Sequence, residues 1–278
     1  MKTMYRRAAV AVLGGALLCS TAACGSEPAE AELTPVAAVQ RAADKNEKLT
    51  SMAYTMSGRV PGEGDVEAEA SMSLKPLAMR MTMRMEVEGE REEMEIRLTS
   101  GGLYLNGGEE AAAEMDGKSW LKFPVGALAE KGGENPLGGM AGQADQNPAA
   151  EAGSLTAAED LKKVGDETID GVGTAHYSGT LPFDEVRAAL AEKPAAAREN
   201  TEKTLKRYED MGVDKLTMDM WIDQDDRTKQ FRVRGASDKG PLDLTIKFAG
   251  YNKPVEIKAP PAAEVTDLEE MMKESAAG

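Results

Sequence analysis

The sequence predicts an α+β fold, in which a few helices cover one side of a curved antiparallel sheet of about ten or eleven strands. Long segments of the chain alternate between apolar and polar residues with a period of two. This pattern is typical of antiparallel strands with one buried and one solvated face. Turn sequences rich in Gly, Asn and Asp separate the segments. Because neighbouring strands twist against one another, a sheet of this size is expected to curl.

The N-terminal residues have the layout of an export signal. Three basic residues open the chain, and residues 8–18 form an apolar stretch that is shorter than the roughly 20 residues of a membrane-spanning helix. Small residues then lead to Cys24. The arrangement resembles a bacterial lipobox, in which the cysteine after the cleavage site carries the lipid, although Thr21 stands where Leu is commoner. We therefore predict a signal peptide over residues 1–23 and a lipid anchor at Cys24.

The anchor also predicts the location of the protein and limits its chemistry. We expect a lipid-anchored protein on the extracytoplasmic face of the plasma membrane. Cys19 would leave with the signal and Cys24 would be lipidated, so the two cysteines of the chain leave no disulfide and no cysteine-based metal site. An ordinary cleaved signal and an uncleaved membrane anchor are the alternatives.

The charge of the chain excludes one class of function. Without the three basic residues of the signal, 30 basic and 48 acidic residues remain, which is a net charge of −18. Binding to nucleic acid requires a basic surface, so no nucleic-acid partner is expected. Anionic lipid headgroups would also repel the chain, so the lipid anchor must hold it at the membrane. Membrane lipids are the expected partners, and we expect a monomer without a cofactor.

A tether and a single domain are predicted after the anchor. Residues 24–34 are acidic and are expected to form a flexible tether. The domain is predicted over residues 35–278, and it begins with a helix over residues 35–49 whose apolar residues recur at spacings of three and four. Residues 132–153 are rich in Gly, Pro, Ala and Asn and are predicted to form a low-complexity loop.

Two further helical segments are predicted. The first covers residues 183–211 and is interrupted at Pro194, because proline cannot continue a helix interior. The second is short and covers residues 262–273. These helices are too few to cover one whole side of the sheet, so we expect an apolar cavity between them and the strands. The alternative is that the side chains meet and fill the core, which is the usual state of a protein interior.

The apolar positions of the alternating strands are the candidate lining of this cavity. Methionine is the commonest residue among them, and its flexible side chain adapts to irregular contacts. The predicted lining residues are Met52, Tyr54, Met56, Met72, Leu74, Met79, Met81, Met83, Met85, Met94, Ile96, Leu216, Met218, Met220, Phe231, Leu244 and Ile246.

Several short motifs resemble those of one lipoprotein family. They lie at residues 50–58, 118–121, 164–177, 221–223 and 231–233, and the third includes a hairpin that turns at an Asp-Gly pair. In their order along the chain they are similar to the actinobacterial LppX/LprG lipoproteins, whose fold is related to the periplasmic carrier LolA. The resemblance implies an unclosed β half-barrel with helices on its concave side. It also implies a cavity that carries acyl chains of lipids or glycolipids across the cell envelope, without catalysis.

Two other functions remain open at this stage. Thioethers bind Cu(I), and four methionines at positions 79, 81, 83 and 85 share one predicted strand face, so an exported copper-binding protein is one alternative. The other is an envelope interaction protein with a filled core. The sequence contains no catalytic set, because His176 is its only histidine and the alternation places it on a polar strand face. We expect no resident metal and no enzyme activity.

Overall fold

The strands of the computed structural model form one curved, unclosed sheet. The structure describes residues 33–87, 90–108, 112–113, 115–123, 152–189 and 195–271. The first half of the chain forms α1 (Pro35–Asn46), β1 (Ser51–Val60), β2 (Gly64–Leu74), β3 (Leu77–Val87), β4 (Glu90–Thr99), β5 (Gly102–Asn106) and β6 (Trp120–Phe123). The second half forms a 3₁₀ helix (Ala152–Ala157), β7 (Lys162–Ile169), β8 (Val172–Pro182), α2 (Phe183–Ala189), α3 (Ala195–Asp210), β9 (Lys215–Asp223), β10 (Thr228–Gly235), β11 (Leu242–Ala249) and β12 (Val265–Asp267).

The strands form two meanders, β1 to β6 and β7 to β11, which the pairing of β1 with β11 joins, and β12 adds to the outer edge of β6. From one edge to the other the strand order is β12-β6-β5-β4-β3-β2-β1-β11-β10-β9-β8-β7. All pairs are antiparallel except β12 with β6. Because β1 pairs with β11, the two halves of the chain share one sheet. The predicted α+β fold with a curved, open, largely antiparallel sheet is confirmed.

One boundary prediction was wrong. The segment predicted as a helix over residues 262–273 begins instead with a 3₁₀ turn (Ala262–Glu264) and the strand β12. Lys122 on β6 forms an ion pair of 2.7 Å with Asp267 on β12, and the two strands pair in parallel. Pairing with a strand far along the chain therefore overrides the local helical tendency, and it raises the strand count to 12.

Other predicted segments lie wholly or largely outside the described residues. These are the signal peptide, Cys24, most of the tether and most of the loop at 132–153, and they stay predictions. The described part of the helical segment over residues 183–211 forms α2 and α3, on either side of residues 190–194. In the part of the chain that is described, each helix is too short or too polar to cross a bilayer.

The first helix is fixed at both ends and packs on the sheet. The Thr34 hydroxyl accepts a hydrogen bond from the Ala37 N–H at 3.3 Å, and Pro35 occupies the first turn, where its missing N–H costs nothing. Val39 and Ala42 are fully buried, and α1 contacts β9, β10 and the 3₁₀ helix. At its C-terminal end, buried Asn46 donates from Nδ2 to the Thr228 hydroxyl at 2.7 Å.

Candidate functional site

The register of the strands collects the predicted lining residues on one face of the sheet, here called the apolar face. Directly paired residues in antiparallel strands point to the same side. One continuous row of pairs crosses eight strands, from β8 to β4, and consists of Tyr177, Met220, Phe231, Ile246, Met56, Ala68, Met83 and Met94. The register therefore places these side chains on one side of the sheet.

Burial divides the predicted lining residues into two sets. One set belongs to the buried core and consists of Met52, Met72, Met79, Ile96, Leu216, Met218, Met220 and Phe231. The other set is only partly buried and consists of Tyr54, Met56, Leu74, Met81, Met83, Met85, Met94, Leu244 and Ile246. The second set is the part of the apolar face that retains contact with solvent.

Five methionines of the partly buried set form a group that we call the methionine wall: Met56, Met81, Met83, Met85 and Met94. They lie on β1, β3 and β4. Between them, on β2, lie Ala68 and Ala70, which pair directly with Met83 and Met81. The two alanines are 2% and 5% exposed, so the longer side chains on either side shield them from solvent. The wall is therefore a group of flexible, partly buried side chains on either side of two buried alanines.

The short strands β5 and β6 add residues to this face that the sequence analysis did not include among the lining residues. Leu105 on β5 pairs with Ile96, and Leu121 on β6 pairs with Leu105, so both extend the row that contains Tyr54 and Met81. Both are partly buried and pack against the core. The strands β5 and β6 are only 5 and 4 residues long, and a period-two pattern is hard to recognise over so few residues.

Two of the hollows among the described residues lie at ends of strands. The first, of about 290 Å³, is lined by Ser57, Gly58, Asp65, Val66, Glu67, Arg84, Met85 and Arg91. The second, of about 440 Å³, is lined by residues of β7, β8 and β9, including Glu167 and Asp223. Of the predicted lining residues, Met85 alone borders one of these hollows. Through Met85, the methionine wall thus borders a partly polar hollow near the turn that joins β1 to β2.

His176 is on the polar face of the sheet, as the alternation predicts, but it is buried there. Its Nδ1 lies 2.8 Å from Glu167 Oε1, its Nε2 lies 2.9 Å from Asp219 Oδ1, and its ring stacks on Trp221 at 4.1 Å between centroids. The Trp221 N–H donates to Glu167 at 2.9 Å and, with His176, holds the pKa of Glu167 below its usual range despite some burial. These contacts join β7, β8 and β9.

A second carboxylate in this network is held in its charged form by its partners. Burial raises the pKa of Asp219, but hydrogen bonds from Arg234, His176 and Ser178 outweigh that effect and lower it. Arg234 contacts the Asp219 carboxylate at 2.5 Å. Both ring nitrogens of His176 therefore contact carboxylates on the polar face, and the ring does not contact the methionine wall on the opposite face. In the copper-binding alternative, methionine alone would have to supply the ligands.

The described residues contain no group of three His, Cys, Asp or Glu side chains that could hold a metal ion. Thioether ligands are a separate question, because Met83 and Met94 are direct cross-strand partners and Met81 lies on the same face. The arrangement that the site presents is a row of flexible apolar side chains on one face, with charged residues on the other.

Comparison with known proteins gives two relatives by sequence. An uncharacterized 31.2 kDa protein of Streptomyces griseus is 33% identical over 180 residues, which is 63% of this chain and 56% of that protein. A protein of Streptomyces coelicolor named "Putative lipoprotein" is 28% identical over 183 residues, which is 64% of this chain and 53% of that protein. The match thus spans about half the length of these curated relatives. No family model matches the chain.

Comparison with solved structures gives matches that cover 81% of this chain. The structure of LppX from Mycobacterium tuberculosis has a TM-score of 0.48 and 15% identity, over 81% of this chain and 98% of that one. The structure of LprF from Mycobacterium bovis has a TM-score of 0.49 and 15% identity, over 81% and 96%.

Proposed function

We propose that this protein is a lipid-anchored lipoprotein of the cell envelope, and that its methionine wall binds the acyl chain of a lipid or glycolipid. The observation that carries the proposal is the partly buried row of Met56, Met83 and Met94 around the buried Ala68. Methionine at this density, left in contact with solvent, is unusual for a surface that has no ligand, because exposed apolar patches generally mark binding sites. The name of the Streptomyces coelicolor relative supports the lipoprotein part.

The energetics favour an acyl chain as the ligand. Burying apolar chain contributes about 0.8 kcal/mol for each CH₂ group. Contact with about ten such groups would therefore contribute roughly 8 kcal/mol, before the several kcal/mol that binding costs in lost freedom. The wall consists of uncharged methionine side chains, which cannot orient a polar headgroup. The length of the bound acyl chain would therefore govern the affinity.

Methionine also makes the site tolerant of different ligands. Its side chain has three rotatable bonds and a polarizable sulfur, and it repacks against irregular shapes at small cost. Surfaces rich in methionine are used where one protein binds many partners. A carrier that accepts acyl chains of several lengths needs this property, whereas a selective receptor needs rigid walls.

The first experiment tests the wall by filling it. We would replace Met83 by Trp in the centre of the wall and measure binding of a fluorescent fatty-acid probe. Because the indole is larger and more rigid than the methionine side chain that it replaces in the wall, we expect binding to weaken by at least about tenfold, which corresponds to about 1.4 kcal/mol. The matched control is Thr82→Trp, which introduces the same indole at the preceding residue of β3, on the opposite face.

The outcomes separate the proposal from its alternatives. Loss of binding in Met83→Trp together with normal binding in Thr82→Trp supports the wall as the site. Equal binding in both variants and in the parent protein rejects it. Tight stoichiometric binding of Cu(I) under anaerobic conditions, lost in Met81→Leu and Met83→Leu, would favour the copper alternative instead.

The anchor is tested separately. In Cys24→Ala the acceptor of the lipid is removed, so we expect the protein to move from the membrane fraction to the soluble fraction when cells are fractionated. Retention in the membrane fraction would reject Cys24 as the anchor. Cys24→Ala leaves the methionine wall intact, so binding of the fatty-acid probe by the released protein tests the two parts of the proposal independently.

A further inference from the structure

The sheet ends in an exposed edge at β7. Among the described strands, β7 pairs with β8 on one side and with nothing on the other. Val164, the residue inserted by a bulge between Lys163 and Gly165, is 52% exposed and is the most exposed large apolar residue of the described chain. An edge strand of 8 residues presents a row of backbone donors and acceptors that another strand can pair with.

The hairpin that joins β7 to β8 determines which backbone groups point outward. Asp170 and Gly171 form its two-residue turn with positive φ at both positions, which is the geometry of a type I′ turn. In such a hairpin the flanking pair Ile169–Val172 exchanges backbone hydrogen bonds, and bonded pairs then alternate along the ladder. The backbone groups of Thr168 and Asp166 therefore point away from β8.

The bulge shifts the next outward position by one residue. Without it, the next outward residue after Asp166 would be Val164. Because Val164 is inserted and has no partner on β8, the next outward residue is Lys163 instead. The outward groups of β7 thus lie at Lys163, Asp166 and Thr168. An antiparallel copy of the strand matches this spacing when Lys163 of each chain faces Asp166 of the other.

In this register the charges of β7 are complementary to themselves. The segment reads Lys162-Lys163-Val164-Gly165-Asp166-Glu167, with two positive charges before and two negative charges after the central pair. Antiparallel self-pairing places Lys163 opposite Asp166 and Lys162 opposite Glu167, and each pair occurs twice. Opposite charges directly across a strand pair stabilise it, and like charges destabilise it.

The faces of the sheet agree with this register as well. Lys163 and Asp166 pair with Tyr177 and Ala175 of β8, so both lie on the apolar-face side. Lys162 and Glu167 pair with Ser178 and Thr174, so both lie on the polar-face side. A twofold axis perpendicular to the sheet keeps each face on the same side in both copies, so every charged pair forms between side chains on the same face.

We propose that β7 is a homodimer interface, at which two copies of this chain join antiparallel through residues 162–167. The twofold contact would continue the sheet from one copy into the other and place both methionine walls on the same side. Edge lysines and bulges normally deter pairing. Here the lysines oppose only one of the two pairings. In a parallel pair, Lys162 and Lys163 would face the same lysines of the partner copy, whereas in the antiparallel register each lysine faces a carboxylate. This proposal replaces the expected monomer.

The contact is small, and confinement to a membrane would strengthen it. A strand edge of 8 residues has no large apolar area, so we expect weak association in dilute solution. Anchoring two copies to one membrane surface raises their effective concentration without any new contact. The dimer does not depend on lipid binding by the methionine wall, so the two proposals can fail separately.

The test uses the full chain with Cys24→Ala, analysed by sedimentation velocity up to about 500 µM. We expect a dimer that forms with increasing concentration. Lys163→Asp and Asp166→Lys should each weaken dimerisation by about tenfold or more, because each sets like charges against each other twice. In an equimolar mixture of the two variants every pair is again complementary, and we expect heterodimers with the affinity of the parent chain.

The control is Lys203→Asp, which breaks the exposed Lys203–Glu199 pair on α3 as Lys163→Asp breaks the exposed Lys163–Asp166 pair within β7. It should leave dimerisation unchanged. Circular dichroism of each variant checks that the fold is retained, and rescue in the mixture excludes a folding defect as the cause of lost association. A chain that stays monomeric throughout, single variants that dimerise like the parent, or a mixture without rescue would overturn the proposal.

Discussion

The methionine wall and a patch of β9 and β10, formed by Met218, Met220, Phe231 and Val233, lie on the same face of one sheet and differ in burial. The four residues of the patch are at most 8% exposed, and Met220 is fully buried. The wall residues are all partly exposed. The same period-two pattern and the same residue type, methionine, therefore produce a core in one place and a surface in another.

The difference arises from the segments that pack above the strands. The helix α1 contacts β9 and β10, and the 3₁₀ helix contacts β8 and β9. Small residues allow these segments to approach the strands and each other closely. A Cβ atom at Gly179 of β8 would lie 2.6 Å from the Ala158 Cβ, and one at Gly153 would lie 2.8 Å from the Ala43 Cβ. A close-packed layer of this kind leaves no room for a ligand. The layer formed by α1 and the 3₁₀ helix, both of which contact β9, therefore accounts for the deeper burial of the β9–β10 patch.

The largest effect is expected in the covered patch. Met220→Ala removes a fully buried side chain and leaves a cavity that α1 and the neighbouring strands cannot close, so the free energy of unfolding should fall by about 3 kcal/mol. Urea denaturation at neutral pH measures this, with an unchanged slope as evidence that the unfolding transition is the same. A loss below about 1 kcal/mol would mean that the patch is as loosely packed as the wall.

Much of this arrangement could be predicted from the sequence, because it follows local rules. The alternation assigned Met56, Met83 and Met220 to one face, and the Asp-Gly turn predicted the β7–β8 hairpin. The Thr34-Pro35 sequence is also typical of a helix start, and α1 begins there.

The remaining features depend on contacts between distant segments. The pattern does not reveal that Met220 is fully buried and Met83 only partly buried, since that depends on where α1 packs. It does not predict β12 either, because three residues pairing in parallel with β6 have no periodicity of their own. His176 becomes buried through partners on β7 and β9, which the register brings together.

An intermediate effect is expected on the polar face behind the covered patch. Asp219→Asn removes the charge that Arg234 and His176 bind, so we expect a loss of about 2 kcal/mol at neutral pH. The folded-state pKa of Asp219 is lowered, so its contribution is present above its unfolded pKa of about 3.9 and is lost as pH falls through the folded value. The difference between parent and variant should therefore shrink below about pH 4.

The matched control for Asp219 lies at the end of the sheet nearest the methionine wall. Asp65 forms an ion pair of 2.8 Å with Arg59, which also lowers the pKa of Asp65, but both side chains are well exposed. Exposed pairs contribute little because water screens them. Asp65→Asn should leave the acid limb of the stability curve close to that of the parent. Equal pH profiles for the two variants would show that burial does not set the strength of the Asp219 network.

The smallest effect on stability is expected in the wall itself. Met83→Ala removes a side chain that is already in partial contact with water, so little buried area is lost and the cavity left behind is open to solvent. We expect the free energy of unfolding to fall by about 1 kcal/mol or less. If the wall binds acyl chains, the same substitution should weaken binding of the fatty-acid probe, because part of the contact surface is gone. Met220→Ala should show the opposite combination: a large loss of stability with little change in probe binding by the folded fraction. A loss of stability in Met83→Ala as large as that in Met220→Ala would mean that the wall is part of the closed core, and the distinction on which the binding site rests would fail.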